Sequence, residues 1–136
     1  MYSFRKSKKG FTLIELMVVV AIIGVLALLG LRMYTAQQNK AKEAIVKANV
    51  GTAQTLVQSE MADGPIAGLD AAVAVAEGGG MKNPFGSATV IIKTGDVVVA
   101  GAVLISEVTA GTKYTFKGYN GAAVPVLFGD ELTAQR

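Results

Sequence analysis

The chain contains no cysteine and no histidine among its 136 residues, and only three prolines. The absence of cysteine excludes disulfide bonds, cysteine-ligated metals and thiol catalysis. The absence of histidine removes the commonest general base and the commonest ligand of transition metals. No remaining set of carboxylates, hydroxyls or bases has the spacing of a catalytic site. We therefore expect neither an enzyme nor a bound cofactor.

An excess of positive charge is also missing from most of the chain. The formal net charge of +3 comes from thirteen basic and ten acidic side chains. Four of the basic residues, Arg5, Lys6, Lys8 and Lys9, lie in the first ten positions. Without them, nine basic residues face ten acidic ones, and the net charge is −1. A basic surface for nucleic acid is therefore not indicated by charge alone.

A long apolar run follows this basic segment. Residues 11–31 read FTLIELMVVVAIIGVLALLGL, and Glu15 is their only charged residue. As a helix with a rise of about 1.5 Å per residue, the run reaches about 30 Å and can cross a membrane. A secretory signal is cleaved after its apolar region, whereas the only plausible processing point here, between Gly10 and Phe11, precedes it. The apolar helix would therefore stay with the mature protein.

The stretch KKGFTLIELMVVVAIIG, residues 8–24, closely resembles the class III signal peptide of type IV pilins and pseudopilins. The resemblance implies that a prepilin peptidase removes a leader, residues 1–10, by cutting between Gly10 and Phe11. It also implies methylation of the new amino group of Phe11. The basic leader would remain in the cytoplasm and the rest of the chain would face outward.

Glu15 is the residue of this run with the clearest functional implication. A carboxylate inside a membrane helix costs a few kcal/mol and is usually functional. The resemblance implies that Glu15 pairs with the free Phe11 amine of a neighbouring subunit during assembly, with Thr12 contributing its hydroxyl. The alternative is that Glu15 lies close to the interface and reaches water.

Two glycines, Gly24 and Gly30, interrupt the second half of the run. By the resemblance, this stretch unwinds when the subunit enters a filament, although Arg32 occupies the position where pilins have a proline. We expect local unwinding in a filament and a continuous helix in an isolated subunit. The alternative is that both glycines allow close helix packing in the membrane. Arg32 is expected to mark the outer membrane boundary.

The remaining sequence predicts one small domain of the α+β class. We expect a long helix over residues 11–62, with residues 11–31 as its membrane or filament-core part, then a connector over residues 63–86 and a head domain over residues 87–136. In the second half of the helix, one row is predicted to face the head domain: Val46, Val50, Ala53, Val57 and Met61. A short helix over residues 71–77 is expected to be capped by Asp70.

Alternating residues predict strands over residues 88–94, 97–100, 102–108 and 112–118, with 123–128 as a possible last strand. The long helix would pack on the resulting antiparallel sheet of three to four strands. A calcium site like that of pseudopilins is not expected, because the four candidate ligands lack close spacing: Asp96, Glu107, Asp130 and Glu131.

These features predict a structural subunit that polymerises through its helix into a type IV pilus. Its expected partners are copies of itself, the inner membrane, prepilin peptidase and the pilus assembly machinery. The expected location is the inner membrane, as a single-pass precursor with the head domain outside, and then the cell surface. One alternative is a pseudopilin of a type II secretion system. A weaker one is an anchored nucleic-acid-binding module that uses the lysines of the connector and the head domain: Lys82, Lys93, Lys113 and Lys117.

Overall fold

The computed structural model describes residues 10–123, 125–126 and 132–135. Two helices come first, α1 (Leu13–Asp63) and α2 (Leu69–Glu77). Five strands follow: β1 (Ile91–Lys93), β2 (Val103–Thr109), β3 (Lys113–Tyr119), β4 (Pro125–Val126) and β5 (Leu132–Gln135). The chain divides into two compact units, Met1–Gln37 and Gln38–Arg136, and α1 contributes residues to both. The α+β class is confirmed. The basic residues Arg5, Lys6, Lys8 and Lys9 lie outside the described residues.

The second half of α1 forms one wall of the core in the unit Gln38–Arg136. The predicted row from Val46 to Met61 is buried along its whole length. Asn49 lies in the same face, and its Nδ2 donates to the Lys82 carbonyl oxygen at 3.0 Å. Spacings of three and four residues place all these side chains on one side of a helix. Gly64 and Pro65 follow the last helical residue, and proline does not continue a helix.

The core opposite α1 comes from the sheet and from α2. Tyr114 and Phe116 of β3 are its largest buried side chains. They pack in one cluster with Ile105 of β2, Ile91 of β1 and Ala72 of α2. Successive residues of a strand point to opposite faces, so Tyr114 and Phe116 share the face that meets α1. One small core therefore holds the helix, the connector and the sheet together.

The sheet differs from the prediction in the direction of one strand pair. The predicted packing of the long helix on a small sheet is confirmed. The sheet is not purely antiparallel, because β1 pairs with β2 in parallel, and β5 joins β3 beside the four-strand path β1-β2-β3-β4. The pairs β2–β3, β3–β4 and β3–β5 are antiparallel. β4 and β5 pair with different parts of β3, at its end and its beginning respectively. The sheet is therefore mixed.

The parallel pair results from a connection that the sequence pattern does not reveal. Residues 97–100 were predicted as a strand but form none; they carry the chain back to the start of β2. Asp96 closes the turn after β1, since the Lys93 N–H donates to its Oδ2 at 2.9 Å and its own N–H donates to the Lys93 carbonyl at 3.0 Å. Gly101 then reverses the chain with φ at 79°, a conformation that favours glycine.

The predicted short helix is confirmed as α2, but its cap is not Asp70. Gly68 occupies the N-cap position, and no side chain forms a capping hydrogen bond there. Asp70 lies inside the first turn, where a carboxylate is favourable near the positive end of the helix dipole. Its Oδ1 instead forms an ion pair with Lys93 Nζ. This pair raises the pKa of Lys93, first through the hydrogen bond and then through the charge of Asp70.

Side-chain amides of α1 bind the outer edge of β5. The Gln54 Nε2 donates to the Thr133 carbonyl at 2.8 Å. Gln58 forms two hydrogen bonds with the backbone of Gln135: its Nε2 donates to the carbonyl at 2.9 Å, and its Oε1 accepts from the N–H at 3.0 Å. Residues four apart on a helix lie on one face, about 6 Å apart along the axis, which is close to the spacing of alternate residues in a strand. Gln58 thus takes the place of a neighbouring strand.

Candidate functional site

Thr12 and Glu15 are joined at the start of α1 by reciprocal hydrogen bonds. The Thr12 N–H and the Thr12 hydroxyl both donate to Glu15 Oε2 at 3.0 Å. The Glu15 N–H in turn donates to Thr12 Oγ1 at 3.3 Å. The Thr12 carbonyl accepts from Leu16, as expected of the residue that precedes the first helical residue. This arrangement is a capping box, which satisfies two amide groups that the helix leaves without partners.

The capping box leaves part of the Glu15 carboxylate available. Both hydrogen bonds from Thr12 use Oε2, and within the described residues Oε1 accepts no hydrogen bond. Glu15 also has no basic partner in the described part of the chain, where the ion pair is that of Lys93 and Asp70. Glu15 Oε1 is therefore available to a donor outside the described residues.

The surface around this carboxylate is apolar and open. Phe11 is 90% exposed, and the large apolar side chains from Leu13 to Leu31 are all at least half exposed. Among the described residues, α1 is the one helix long and apolar enough to cross a membrane. A contiguous apolar surface of this size is not stable in water and marks a membrane or protein contact.

Gly24, Gly30 and Arg32 lie within this exposed part of α1. The helix continues through both glycines without a break. Among the described residues, a Cβ atom placed on either glycine would have no neighbour within 4 Å, so no packing among these residues requires glycine there. Arg32 is exposed, and its carbonyl accepts from the Thr35 hydroxyl at 3.0 Å. Contacts among the described residues therefore do not account for Gly24 and Gly30.

The other residues considered from the sequence do not form a common site. Lys93 is engaged by Asp70. Asp96 accepts the Lys93 N–H, and Glu107 accepts from the Gly111 N–H at 2.7 Å, so both carboxylates have partners within the chain. Asp130 and Glu131 lie outside the described residues. Among residues 10–123, 125–126 and 132–135, no group of acidic side chains is arranged to hold a metal ion.

Among the described residues, the aromatic side chains Phe85, Tyr114 and Phe116 leave no open stacking platform. Lys42 Nζ lies 5.3 Å from the centre of the Phe85 ring, as in a cation–π contact. The ring also fills the space in which a Cβ atom of Gly121 or Gly101 would lie. Tyr114 and Phe116 are buried in the core.

The capping box was the functional feature that the sequence interpretation missed. Thr12 was expected only to share a polar contact with a neighbouring subunit. The signal was nevertheless present, because a threonine followed three residues later by glutamate, directly before an apolar helical run, is the pattern of a capping box. The Thr12–Glu15 pair therefore has two effects: it caps the start of α1, and it fixes the orientation of the Glu15 carboxylate.

Comparison with known proteins gives a family-model match at the same end of the chain and matches of part of the chain to curated relatives. Residues 5–31 match the family model of the prokaryotic N-terminal methylation motif. The fimbrial protein EcpB of Eikenella corrodens is 46% identical over 63 residues, which are 46% of this chain and 40% of that protein. The type IV major fimbrial protein FimA of Dichelobacter nodosus is 41% identical over 61 residues, 45% of this chain and 39% of that protein.

A third relative is the type IV major alpha-pilin of Moraxella bovis, 40% identical over 58 residues, which are 43% of this chain and 36% of that protein. The matched part of the chain thus spans about two fifths of the length of these curated relatives. No solved structure matches the chain. The resemblance to type IV pilins is confirmed by the motif and by these relatives.

Proposed function

We propose that this chain, whose amino-terminal segment is that of a type IV pilin, is a structural subunit that polymerises through α1 into a pilus filament on the cell surface. The observation that carries the proposal is the continuous exposure of the apolar side chains from Leu13 to Leu31. Such a surface needs a membrane before assembly and other copies of itself afterwards. The names of the relatives, all fimbrial or pilin proteins, support a pilus subunit rather than a pseudopilin.

Assembly in this proposal uses both oxygens of Glu15. The capping box holds Oε2 on Thr12, and Oε1 accepts from the methylated amine of Phe11 in a neighbouring copy. A charge is expensive in an apolar environment, and pairing two opposite charges lowers that cost. The pairing therefore favours one axial position of the incoming subunit. Thr12 acts as the positioning residue, because it orients the carboxylate before the partner arrives.

Processing and location follow from the same segment. A prepilin peptidase is proposed to cut between Gly10 and Phe11, which creates the amine that Glu15 requires. The precursor is proposed to cross the inner membrane once, with the leader in the cytoplasm, the head domain outside and Arg32 near the outer boundary. The assembly machinery then transfers the subunit from the membrane to the filament. Unwinding between Gly24 and Gly30 is proposed for that transfer, since those glycines have no packing role among the described residues.

The decisive experiment combines electron microscopy of filaments sheared from cells with mass analysis of their subunit. The proposal predicts filaments whose subunit has the mass of residues 11–136 plus one methyl group. A mature subunit that is never found in filaments, or one that has lost α1, would contradict it. Deletion of the prepilin peptidase provides the control, because it should leave the full-length chain in the membrane.

A further inference from the structure

In the unit Gln38–Arg136, the exposed Lys40 lies on one flank of α1 and two exposed carboxylates lie on the other. Lys42 also lies on the acidic flank, where its Nζ is 5.3 Å from the centre of the Phe85 ring. The buried row centred on Val57 defines the inward direction of the helix. At about 100° per residue, Lys40 lies about 100° to one side of this direction and Asp63 about 120° to the other. Glu60 lies on the same side as Asp63. All three side chains are exposed.

None of these charges has a partner of its own within the described residues. The ion pair found there joins Lys93 to Asp70, and neither Lys40, Glu60 nor Asp63 forms a side-chain hydrogen bond in the described part of the chain. The two carboxylates also lie in the last turn of α1, which contains no basic residue. Acidic groups are unfavourable at this end of a helix, because the dipole there is negative. A cation from outside this copy would pair with the two carboxylates and would also offset the negative end of the helix dipole.

A second copy of this chain can supply that cation. Twenty residues separate Lys40 from Glu60, so a parallel copy displaced by about 30 Å along the axis places its Lys40 at the level of Glu60 in the first. Because the charges lie on opposite flanks, the contact joins two different surfaces, and each copy keeps a free flank for the next. Such a heterologous contact repeats without limit and produces a filament. The exposed side chains between the flanks are small and permit close approach: Ala44, Ala48 and Thr55.

We propose that Lys40 of one copy contacts Glu60 and Asp63 of a second copy displaced by about 30 Å, and that this contact sets the axial displacement of that pair outside the membrane-spanning part of α1. The pairing of Phe11 with Glu15 spans only four residues, about 6 Å, so it joins a different pair of copies. This inference rests on the proposed function, since it assumes copies with parallel helices. It adds a second element of register to the contact at Glu15. The pairs are exposed, so they select the position of the partner more than they strengthen the contact.

Charge reversal tests the contact in cells in which the unaltered chain forms surface filaments. Lys40→Glu places like charges together, and the yield of sheared filaments should fall at least about fivefold. The combined variant, with Lys40→Glu, Glu60→Lys and Asp63→Lys, restores opposite charges and should recover a yield within about twofold of the unaltered chain. Lys82→Glu, which reverses an exposed lysine outside α1, is the matched control and should have no effect. An unaffected Lys40→Glu variant, or a combined variant no better than its parents, would overturn the proposal.

Cross-linking separates this contact from filament formation itself. The chain has no cysteine, so a Lys40→Cys and Glu60→Cys double variant carries the only two thiols. They lie about 30 Å apart on one helix, too far to be joined within a chain by a short bis-maleimide. Filaments sheared from cells should yield a ladder of covalent multimers, whereas each single variant should yield dimers at most. Isolated membranes should yield no ladder, because the apolar run holds all copies at one depth there. Filaments of the double variant that stop at dimers would overturn the contact, whereas a failure of the unaltered chain to form filaments would instead contradict the proposed function.

Discussion

Replacing Gln58 with leucine would release β5 from the long helix while keeping a side chain of similar size. The change removes both hydrogen bonds between Gln58 and the backbone of Gln135, at 2.9 and 3.0 Å. Each such bond contributes about 0.5 to 1.5 kcal/mol net, and Gln58 is exposed, so about 1 kcal/mol is expected for the opening of this edge. Since 1.4 kcal/mol corresponds to a factor of ten, the Gln135 amide should exchange its hydrogen about fivefold faster.

Hydrogen–deuterium exchange of the full chain in detergent provides the measurement, followed in a peptide that covers residues 132–135. Gln38→Leu is the matched control, because Gln38 is an exposed glutamine of the same helix with no hydrogen bond to β5. Gln54→Leu, which removes the bond to the Thr133 carbonyl, should have a smaller effect than Gln58→Leu. If Gln58→Leu and Gln38→Leu gave the same exchange, the amide contacts would not hold the strand, and the reasoning would fail.

Three further predictions concern the assembly site and the head domain. Glu15→Ala should leave the subunit inserted and cleaved but reduce sheared filaments more than about tenfold; undiminished filaments would contradict its pairing role. Gly101→Ala should lower the free energy of unfolding, measured in urea, by about 3 kcal/mol. The added Cβ strains a φ of 79° and displaces the Asn83 side chain, whose Nδ2 donates to two carbonyls. An unchanged urea midpoint would refute this. Burial, followed by the charge of Glu107, raises the pKa of Tyr114, so stability should fall above a pH of about 10 as the unfolded chain ionises first, and Tyr114→Phe should reduce the slope of that fall.

The parts of the structure that the sequence predicted are those with a regular local pattern. The buried row from Val46 to Met61 repeats at the period of a helix, and one side of a helix is fixed by that period alone. α2 was recognised for the same reason. The amino-terminal motif was recognisable because its chemistry is rare, with one carboxylate in a run of apolar residues that follows four basic residues.

The features that the prediction missed depend on contacts distant in the sequence. Alternation shows which side of a strand is buried but not the direction of its neighbour, so the parallel pairing of β1 with β2 was not foreseen. Aspartate is a residue type preferred at helix N-caps, yet Asp70 binds Lys93, 23 positions later in the chain, and caps no helix. The contacts of Gln58 and Gln54 with β5 span more than 70 residues, and no local pattern predicts them.

Side chains occupy backbone hydrogen-bonding groups at two strands of the sheet: Asp96 binds the Lys93 N–H of β1, and Gln54 and Gln58 bind the backbone of β5. This protection would be most important in a polymer, where many copies lie side by side. A polymer of this chain would hold its head domains at very high local concentration, a condition under which open strands fuse into irreversible aggregates. Asp96 blocks one such strand, and the two glutamines of the helix block the other. In such a polymer, neighbouring head domains would then touch without pairing their strands.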